Sequence, residues 1–166
     1  MRLSENMLEA LNAQINAELF SAYLYFAMSA YLQDQKLPGM AAWMFQQGLE
    51  ELGHAKKFYD YVNERNGRVV LKAVEEPPKE WKDARDVFEE GLKHEVYITK
   101  RINDLVALAK EENDYATLNF LQWFVDEQVE EEASFEAVLD KFSLLEKHPG
   151  GTYLLDRELS HRVGAQ

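Results

Sequence analysis

The amino-acid sequence predicts an all-α protein: a four-helix bundle with one long crossover between the second and third helices, plus a short C-terminal fifth helix. Three observations predict this fold. Apolar residues recur every three or four positions along four segments of roughly 30 residues, the period of a helix with one buried face. All four prolines and four of the eight glycines fall at the breaks that end these segments. One connection is also much longer than the others.

The first two helices are expected to form a hairpin. The first begins after Ser4, a residue type that caps helices well, and ends near Asp34. The sequence KLPG at 36–39 interrupts it, and a second helix follows to about Arg65. There the dipeptide NG at 66–67 supplies a left-handed stop. Because the loop between the two helices is tight, the helices must be antiparallel.

The long connection covers residues 68–81, where Pro77 and Pro78 exclude a continuous helix. About 15 residues span ~50 Å at most, which is enough to travel the length of one helix. A loop of this length predicts a crossover that leaves the second and third helices parallel. The alternative is a flexible linker between two separate helical hairpins.

The third and fourth helices are expected to form a second hairpin. Asp83 is the predicted cap of the third helix, which ends near Glu112. After ND at 113–114 the fourth helix runs to about Lys147, and HPGG at 148–151 ends it. The short loop again makes the pair antiparallel.

The whole chain, residues 1–166, is expected to form a single domain, since its length suits one core. The bundle occupies about 5–147, and a short amphipathic helix occupies about 152–163. A narrow apolar stripe on that last segment indicates that it needs a surface to pack on. The stripe consists of Leu154, Leu155, Leu159 and Val163.

Composition excludes several classes of function. With 30 acidic and 18 basic residues the net charge is −12, which repels nucleic acid and attracts cations. Cysteine is absent, which excludes disulfides and thiolate sites. The chain opens on no secretory signal, and the most apolar run, AYLYFAMSAYL, is far shorter than the ~20 residues of a membrane span. We therefore expect a cytoplasmic protein with no nucleic-acid or membrane partner.

Each predicted helix carries a carboxylate or amide within its apolar stripe. Each of these residues lies within about three residues, or ~5 Å along the axis, of the midpoint of its helix. These residues are Glu18, Glu51, Glu95 and Gln128. Because a midpoint has the same height whichever way a helix points, the four side chains are expected to face one another. His54 lies one turn after Glu51 on the same face, and Glu131 lies one turn after Gln128. No lysine or arginine accompanies them in these stripes.

Carboxylates at this depth need either shared protons or a cation. Ionising one in an apolar core costs on the order of 20 kcal/mol in the idealised limit and several after relaxation. Carboxylate oxygens with one imidazole suit Fe²⁺, and two ions if a carboxylate bridges; zinc and manganese bind the same ligand types. Tyr25 lies two turns from Glu18, within reach of such a pair. The alternative is a scaffold bundle whose acids are protonated or hydrogen-bonded.

Several stretches of the sequence together resemble the ferritin family, specifically the haem-free ferritins of bacteria and archaea. They are LNAQINAELFSAYLY, EELGHAKKF, KHE, NFLQWFVDEQVEEE and LDRELS, and the resemblance covers nearly the whole chain. It implies a bundle with one long crossover and inward carboxylates, for which ferritin-like folds are a known example. It also implies oxidation of paired Fe²⁺ by O₂ or peroxide, and storage of Fe³⁺ as a mineral in a hollow shell of 24 copies. The fifth helix would lie near the four-fold axis.

The resemblance assigns roles to the residues at the predicted centre. The first iron is held by Glu18, Glu51 and His54. Glu51 bridges to the second iron, which Glu95 holds with Gln128 close beside it. Tyr25 matches the tyrosine that the family uses to supply electrons during oxygen reduction. A third iron site is implied at Glu50, Glu127, Glu130 and Glu131.

Two departures separate the sequence from other relatives. The fourth helix reads Gln128-x-x-Glu131 where the symmetric di-iron sites of bacterioferritins and rubrerythrins carry a second Glu-x-x-His. Position 52 is leucine where bacterioferritin has its haem-ligating methionine, so no haem is expected. The DNA-protecting miniferritins fit poorly, because their metal site lies between subunits and the present one is complete within one chain.

Overall fold

The computed structural model describes residues 2–162, and all regular secondary structure in that range is α-helical. The helices are α1 (Glu5–Asp34), α2 (Pro38–Glu64), α3 (Ala84–Glu111), α4 (Tyr115–Leu145) and α5 (Gly151–Leu159). Within the range described, none of these helices is long and apolar enough to cross a membrane. The predicted all-α class and the order of the helices are confirmed.

The helix ends follow from residue types that satisfy the free backbone groups there. The Ser4 hydroxyl accepts a hydrogen bond from the amide of Met7 at 3.0 Å, and Asp83 caps α3 in the same way at 2.8 Å. Asn66 and Asn113 adopt positive φ where α2 and α3 stop. The fifth helix ends at Leu159, earlier than predicted, because the chain turns immediately after it. Val163, the last residue of its predicted stripe, lies outside the described residues.

Contacts between α1 and α3 establish the direction of the helices. Gln14 accepts a hydrogen bond from Arg101 at 3.0 Å, whereas Ser21, further along α1, lies 2.7 Å from His94, further back along α3. These two helices are therefore antiparallel. Since the tight loop makes α1 antiparallel to α2, helices α2 and α3 run parallel, as the crossover predicted.

The crossover packs along α1. The Asn12 side chain donates to the carbonyl of Arg68 at 3.0 Å and accepts from the amide of Val70 at 2.9 Å. At the other end, the Tyr31 hydroxyl donates to the carbonyl of Trp81 at 3.0 Å. These bonds hold the segment at both ends of the same helix. The alternative of a flexible linker between separate hairpins is therefore wrong.

The core consists of two apolar clusters with a polar layer between them. One cluster includes Met28 and Phe88 and receives α5, and the other includes Leu11 and Phe58. Along α1 and α2 the residues that separate the clusters are buried but polar. The polar layer therefore lies at mid-height of the bundle, where the sequence placed the carboxylates.

The fifth helix docks on the start of α2 through one buried acid. Leu37, which precedes α2, makes no side-chain cap, and Asp156 of α5 accepts a hydrogen bond from the amide of Met40 at 2.8 Å instead. Gly39 permits this approach, since a Cβ there would lie 1.8 Å from the carbonyl oxygen of Asp156. Leu155 and Leu159 are buried beside it.

Replacing Asp156 with alanine is expected to lower the free energy of unfolding by about 1 kcal/mol, because α2 loses its cap. Chemical denaturation followed by circular dichroism measures the change. Asp156→Asn keeps an acceptor oxygen and serves as the matched control, with a smaller loss expected. Equal stability of the alanine variant and the parent would show that this hydrogen bond does not cap α2.

Candidate metal centre

Six polar side chains from the four long helices form the centre of the polar layer. All six are at most 4 % exposed, although each is a residue type that resists burial. They are Glu18 on α1, Glu51 and His54 on α2, Glu95 on α3, and Gln128 and Glu131 on α4. Each lies in the apolar stripe of its helix, and the folding of the bundle carries it inward.

Two groups of possible ligands share one residue. In the first, one atom each from Glu18, Glu51 and His54 lie within 4.8 Å of one another. In the second, the same holds for Glu51, Glu95 and Glu131. Glu51 thus belongs to both, as a bridging carboxylate would. Oxygen and imidazole donors in this number are a set that divalent first-row metals accept.

Two buried oxygens at the first group have no hydrogen-bond partner among the residues described: Glu18 Oε2 and Glu51 Oε1. The other oxygen of each carboxylate is held, since Gln14 donates to Glu18 Oε1 at 2.7 Å and His54 Nδ1 lies 3.2 Å from Glu51 Oε2. A buried acceptor without a partner costs about 1–3 kcal/mol, and more when it is charged. A cation between these two carboxylates satisfies both, so the site fits a metal ion.

Glu95 is oriented from two sides. The Tyr25 hydroxyl donates to its Oε1, and Gln128 Nε2 donates to its Oε2 at 3.0 Å and also contacts Thr99 at 3.2 Å. Tyr25 itself is fully buried. The structure therefore brings both Tyr25 and Gln128 into contact with Glu95. Their roles at a metal centre stay predictions.

The four residues predicted for a third iron site are only partly brought together. Glu127 and Glu131 form a third group with His54, and Glu127 Oε1 lies 3.4 Å from His54 Nε2. Glu50 and Glu130 do not belong to this group. Glu130 is exposed on α4, and both carboxylate oxygens of Glu50 accept hydrogen bonds from Arg162.

Burial and mutual repulsion shift the pKa values of the acids upward. Burial raises the pKa of Glu95 to about 7, against the hydrogen bonds from Tyr25 and Gln128. Burial and the charge of Glu95 raise the pKa of Glu131 to about 8. Burial also raises the pKa of Glu51 well above its ordinary value. The metal-free centre therefore holds protons at neutral pH.

The pKa of His54 is raised, whereas the pKa of an ordinary buried histidine is lowered. Burial alone would lower its pKa, but hydrogen bonds to Glu127 and Glu51 raise the pKa of His54 to about 11. The protonated imidazole is thus the cation that the metal-free site contains. A metal ion that takes His54 as ligand must displace this proton.

Metal binding is expected to release protons, and to release more of them at lower pH. Below their pKa values of about 7 and 8, Glu95 and Glu131 are protonated before the ion enters and lose their protons when it binds. Calorimetry with Zn²⁺, in buffers of different ionisation enthalpy, should show the released number falling between about pH 6 and about pH 8.5. Glu136→Gln, at an exposed position of α4 outside every proposed metal site, should not change the number of protons released. A release independent of pH would contradict the shifted pKa values.

The structure adds residues that the sequence prediction did not assign to the site. Gln14 precedes Glu18 by one turn, and Gln47, whose Nε2 donates to Glu131, precedes Glu51 by one turn. The signal for both was a polar side chain one turn away on a buried face. Thr99 lies one turn after Glu95, and its hydroxyl accepts a hydrogen bond from Gln128.

The fold and the site together define a class of helical metal-binding proteins. Its members are four-helix bundles whose inward side chains converge on a metal site, and ferritin-like folds with one long crossover are an example. The family described as Ferritin-like domain matches residues 8–145. Bacterial non-heme ferritin of Campylobacter jejuni is 43% identical over 159 residues, which cover 96% of this chain and 95% of the relative. The chain belongs to the ferritin family, and the resemblance in the sequence is confirmed.

Solved structures of archaeal ferritins are similar over the whole chain. The open-pore ferritin of the hyperthermophilic archaeon Archaeoglobus fulgidus is 52% identical with a TM-score of 0.95, covering 97% of this chain and 98% of that one. A closed form of that ferritin, engineered by site-directed mutagenesis, has a TM-score of 0.96 at 52% identity and covers 98% and 99%. The fold described above, including α5, is therefore a ferritin fold.

Proposed function

We propose that the protein stores iron and that the centre of its bundle is a ferroxidase, which oxidises Fe²⁺ to Fe³⁺ with O₂ or peroxide as acceptor. The observation that carries this proposal is the pair of buried oxygens on Glu18 and Glu51, next to His54, that have no hydrogen-bond partner within residues 2–162. Iron is the substrate of this centre. The shared position of Glu51 supports two ions held side by side, from which two electrons leave together.

Each ligand has a partner that prepares it. We assign the first iron to Glu18, Glu51 and His54. Gln14 donates to Glu18 Oε1, and Glu18 Oε2, which has no partner among the described residues, is the oxygen proposed to bind the ion. We assign the second iron to Glu51 and Glu95, with Gln128 at its side. Glu131, which lies in the same group, is assigned to the third site. The second iron thus has fewer strong ligands, which suits an ion that is passed on after oxidation.

Tyr25 is proposed to supply an electron during the reduction of oxygen. A phenol that gives up an electron must also give up its proton. The hydroxyl of Tyr25 donates a hydrogen bond to Glu95, which is therefore placed to accept this proton. Burial and the nearby charges of Glu95 and Glu51 raise the pKa of Tyr25, so it is protonated before it reacts.

A third iron site beside the pair would receive iron after oxidation. One ligand atom each of Glu127, Glu131 and His54 already lie within 4.8 Å of one another. We propose that Glu50 and Glu130 complete this site when their side chains turn toward it. This arrangement gives Fe³⁺ a way out of the centre along a series of carboxylates.

The storage vessel is proposed to be a hollow homo-oligomeric shell of 24 single-domain subunits, 1–166, working in the cytoplasm. The similarity to ferritins over nearly the whole chain supports it. The net charge of −12 favours the entry of cations and disfavours nucleic acid. The ferric mineral would collect inside the shell.

Aerobic addition of Fe²⁺ to the metal-free protein tests the proposal. A ferroxidase produces ultraviolet absorbance from Fe³⁺ much faster than buffer alone, with a burst equal to two irons per subunit. The rival candidate, a scaffold bundle with protonated acids, predicts oxidation at the buffer rate. A miniferritin-type site between subunits is not supported, since the ligand groups are complete within one chain.

A further inference from the structure

An arginine that follows α5 reaches across to α2. Arg162 Nη2 donates to both carboxylate oxygens of Glu50, at 3.1 and 3.0 Å. Its Nη1 donates to Gln47 Oε1 at 3.0 Å and to the carbonyl of Trp43 at 3.2 Å. The guanidinium carbon lies 4.3 Å from the centre of the Trp43 ring. One cation thus joins the end of the chain to three residues of α2.

The pair of Arg162 and Glu50 is partly shielded from water. The two side chains are 19 % and 18 % exposed, so their attraction is stronger than that of a fully solvated ion pair. Both oxygens of Glu50 are engaged by the guanidinium, which leaves neither directed to a metal ion. This explains why Glu50 is absent from the ligand group of His54, Glu127 and Glu131.

Arg162 also acts on a second acid through an amide. Because the Gln47 oxygen accepts from Arg162, its Nε2 is the end that donates to Glu131. Glu131 belongs to two of the three ligand groups. The arginine therefore orients one acid directly and another through Gln47.

We propose that Arg162 is a positioning residue that competes with the third iron ion for Glu50, so that the segment after α5 sets how tightly that ion binds. The inference rests on the third site of the proposed function. An ion that takes Glu50 as ligand must displace the guanidinium, one cation replacing another. Asp156, through its bond to Met40, keeps the segment in register with α2.

Replacing Arg162 with glutamine tests the proposal. Calorimetric titration with Zn²⁺, which undergoes no oxidation, is run on the intact metal-free assembly. We expect the third and weakest ion to bind at least about fivefold more tightly in R162Q, while the first two change less than about twofold. R162K keeps the charge but not the two-pronged hydrogen bonding, and should lie between R162Q and the parent.

Two further variants separate a local effect from a general one. R157Q removes the same charge from an exposed position on α5 and should bind Zn²⁺ like the parent. Adding E50Q to R162Q should abolish the gain, because the competed ligand is then missing. Sedimentation tests whether each variant keeps the parent assembly. If R162Q does not assemble, the affinity for the third ion is compared between R162K and the parent instead.

Four outcomes overturn the proposal. The third ion binds R162Q no more tightly than the parent; R157Q shows the same gain; or the gain persists in the double variant. A parent and an R162Q variant that both bind only two ions also overturn it. That last result would remove the third site but leave the two-iron oxidation burst, which tests the ferroxidase separately.

Discussion

Replacing Glu51 with glutamine is expected to slow the fast phase of Fe²⁺ oxidation by about a hundredfold. Substituting residues that only support metal ligands commonly costs 10–100-fold in affinity or activity. Glu51 is itself a proposed ligand, and the two ligand groups of the centre share it, so the upper end of that range is expected. Glutamine keeps the shape of the side chain but provides a neutral amide, which is a poor bridge between two cations. Stopped-flow absorbance on the metal-free protein measures the phase.

The same variant should fold at least as well as the parent. Glu51 is buried, one of its oxygens has no partner in the part of the chain that the structure describes, and burial raises its pKa, so its charge opposes folding. Removing a buried acid relieves that cost. Glu136→Gln makes the identical change at an exposed acid of α4, outside the ligand groups and the proposed third site, and should keep the fast phase. Parent-like oxidation by Glu51→Gln would refute the assignment of the bridge.

Deleting residues 151–166 is expected to weaken the large assembly and its retention of mineral. Leu155 and Leu159 of α5 pack into the core of their own subunit, whereas Tyr153 and Leu154 are 63 % and 54 % exposed and free to contact a neighbour. Burying a leucine is worth about 1.5–3 kcal/mol, so the loss also costs the subunit stability. The remaining bundle keeps all the residues proposed to form the di-iron centre and should still bind iron.

Sedimentation velocity of the truncated and parent proteins at equal concentration measures this effect, together with the iron retained per particle. A chain that ends after Arg162 removes only the last residues of the sequence and is the matched control. It should sediment like the parent. An unchanged particle that still retains iron after loss of 151–166 would show that α5 does not hold the shell together.

The parts of the fold that sequence could predict are those set by local chemistry. The periodicity of apolar residues located the long helices, and Ser4, Asp83 and the Asn66 stop located their ends. The length of the crossover then determined that α2 and α3 are parallel. Each inference needed only short-range rules and the dimensions of a helix.

The candidate centre could be predicted because the position of a midpoint does not depend on helix direction. Glu18, Glu51 and Glu95 fall at one height however the helices are connected, and His54 follows Glu51 by one turn. Their ligand atoms do meet in the structure. Their roles as iron ligands remain a prediction.

The contacts that the sequence could not predict depend on where the short helix α5 docks. The cap that Asp156 provides for α2 and the bonds from Arg162 to Glu50 join residues more than a hundred positions apart. The apolar stripe of this segment predicts that it packs on a surface, but it does not predict which surface or which polar contacts form there. The same holds for its early end at Leu159, where the turn that follows lets Arg162 reach α2.

Anomalous X-ray scattering from crystals soaked anaerobically with Fe²⁺ tests the central claim most directly. We predict two peaks per subunit on either side of Glu51, one beside Glu18 and His54 and one beside Glu95, separated by about 3.5–4 Å as in other two-metal sites. Peaks confined to exposed acids, with none between the carboxylates of the buried layer, would contradict a di-iron centre in this bundle.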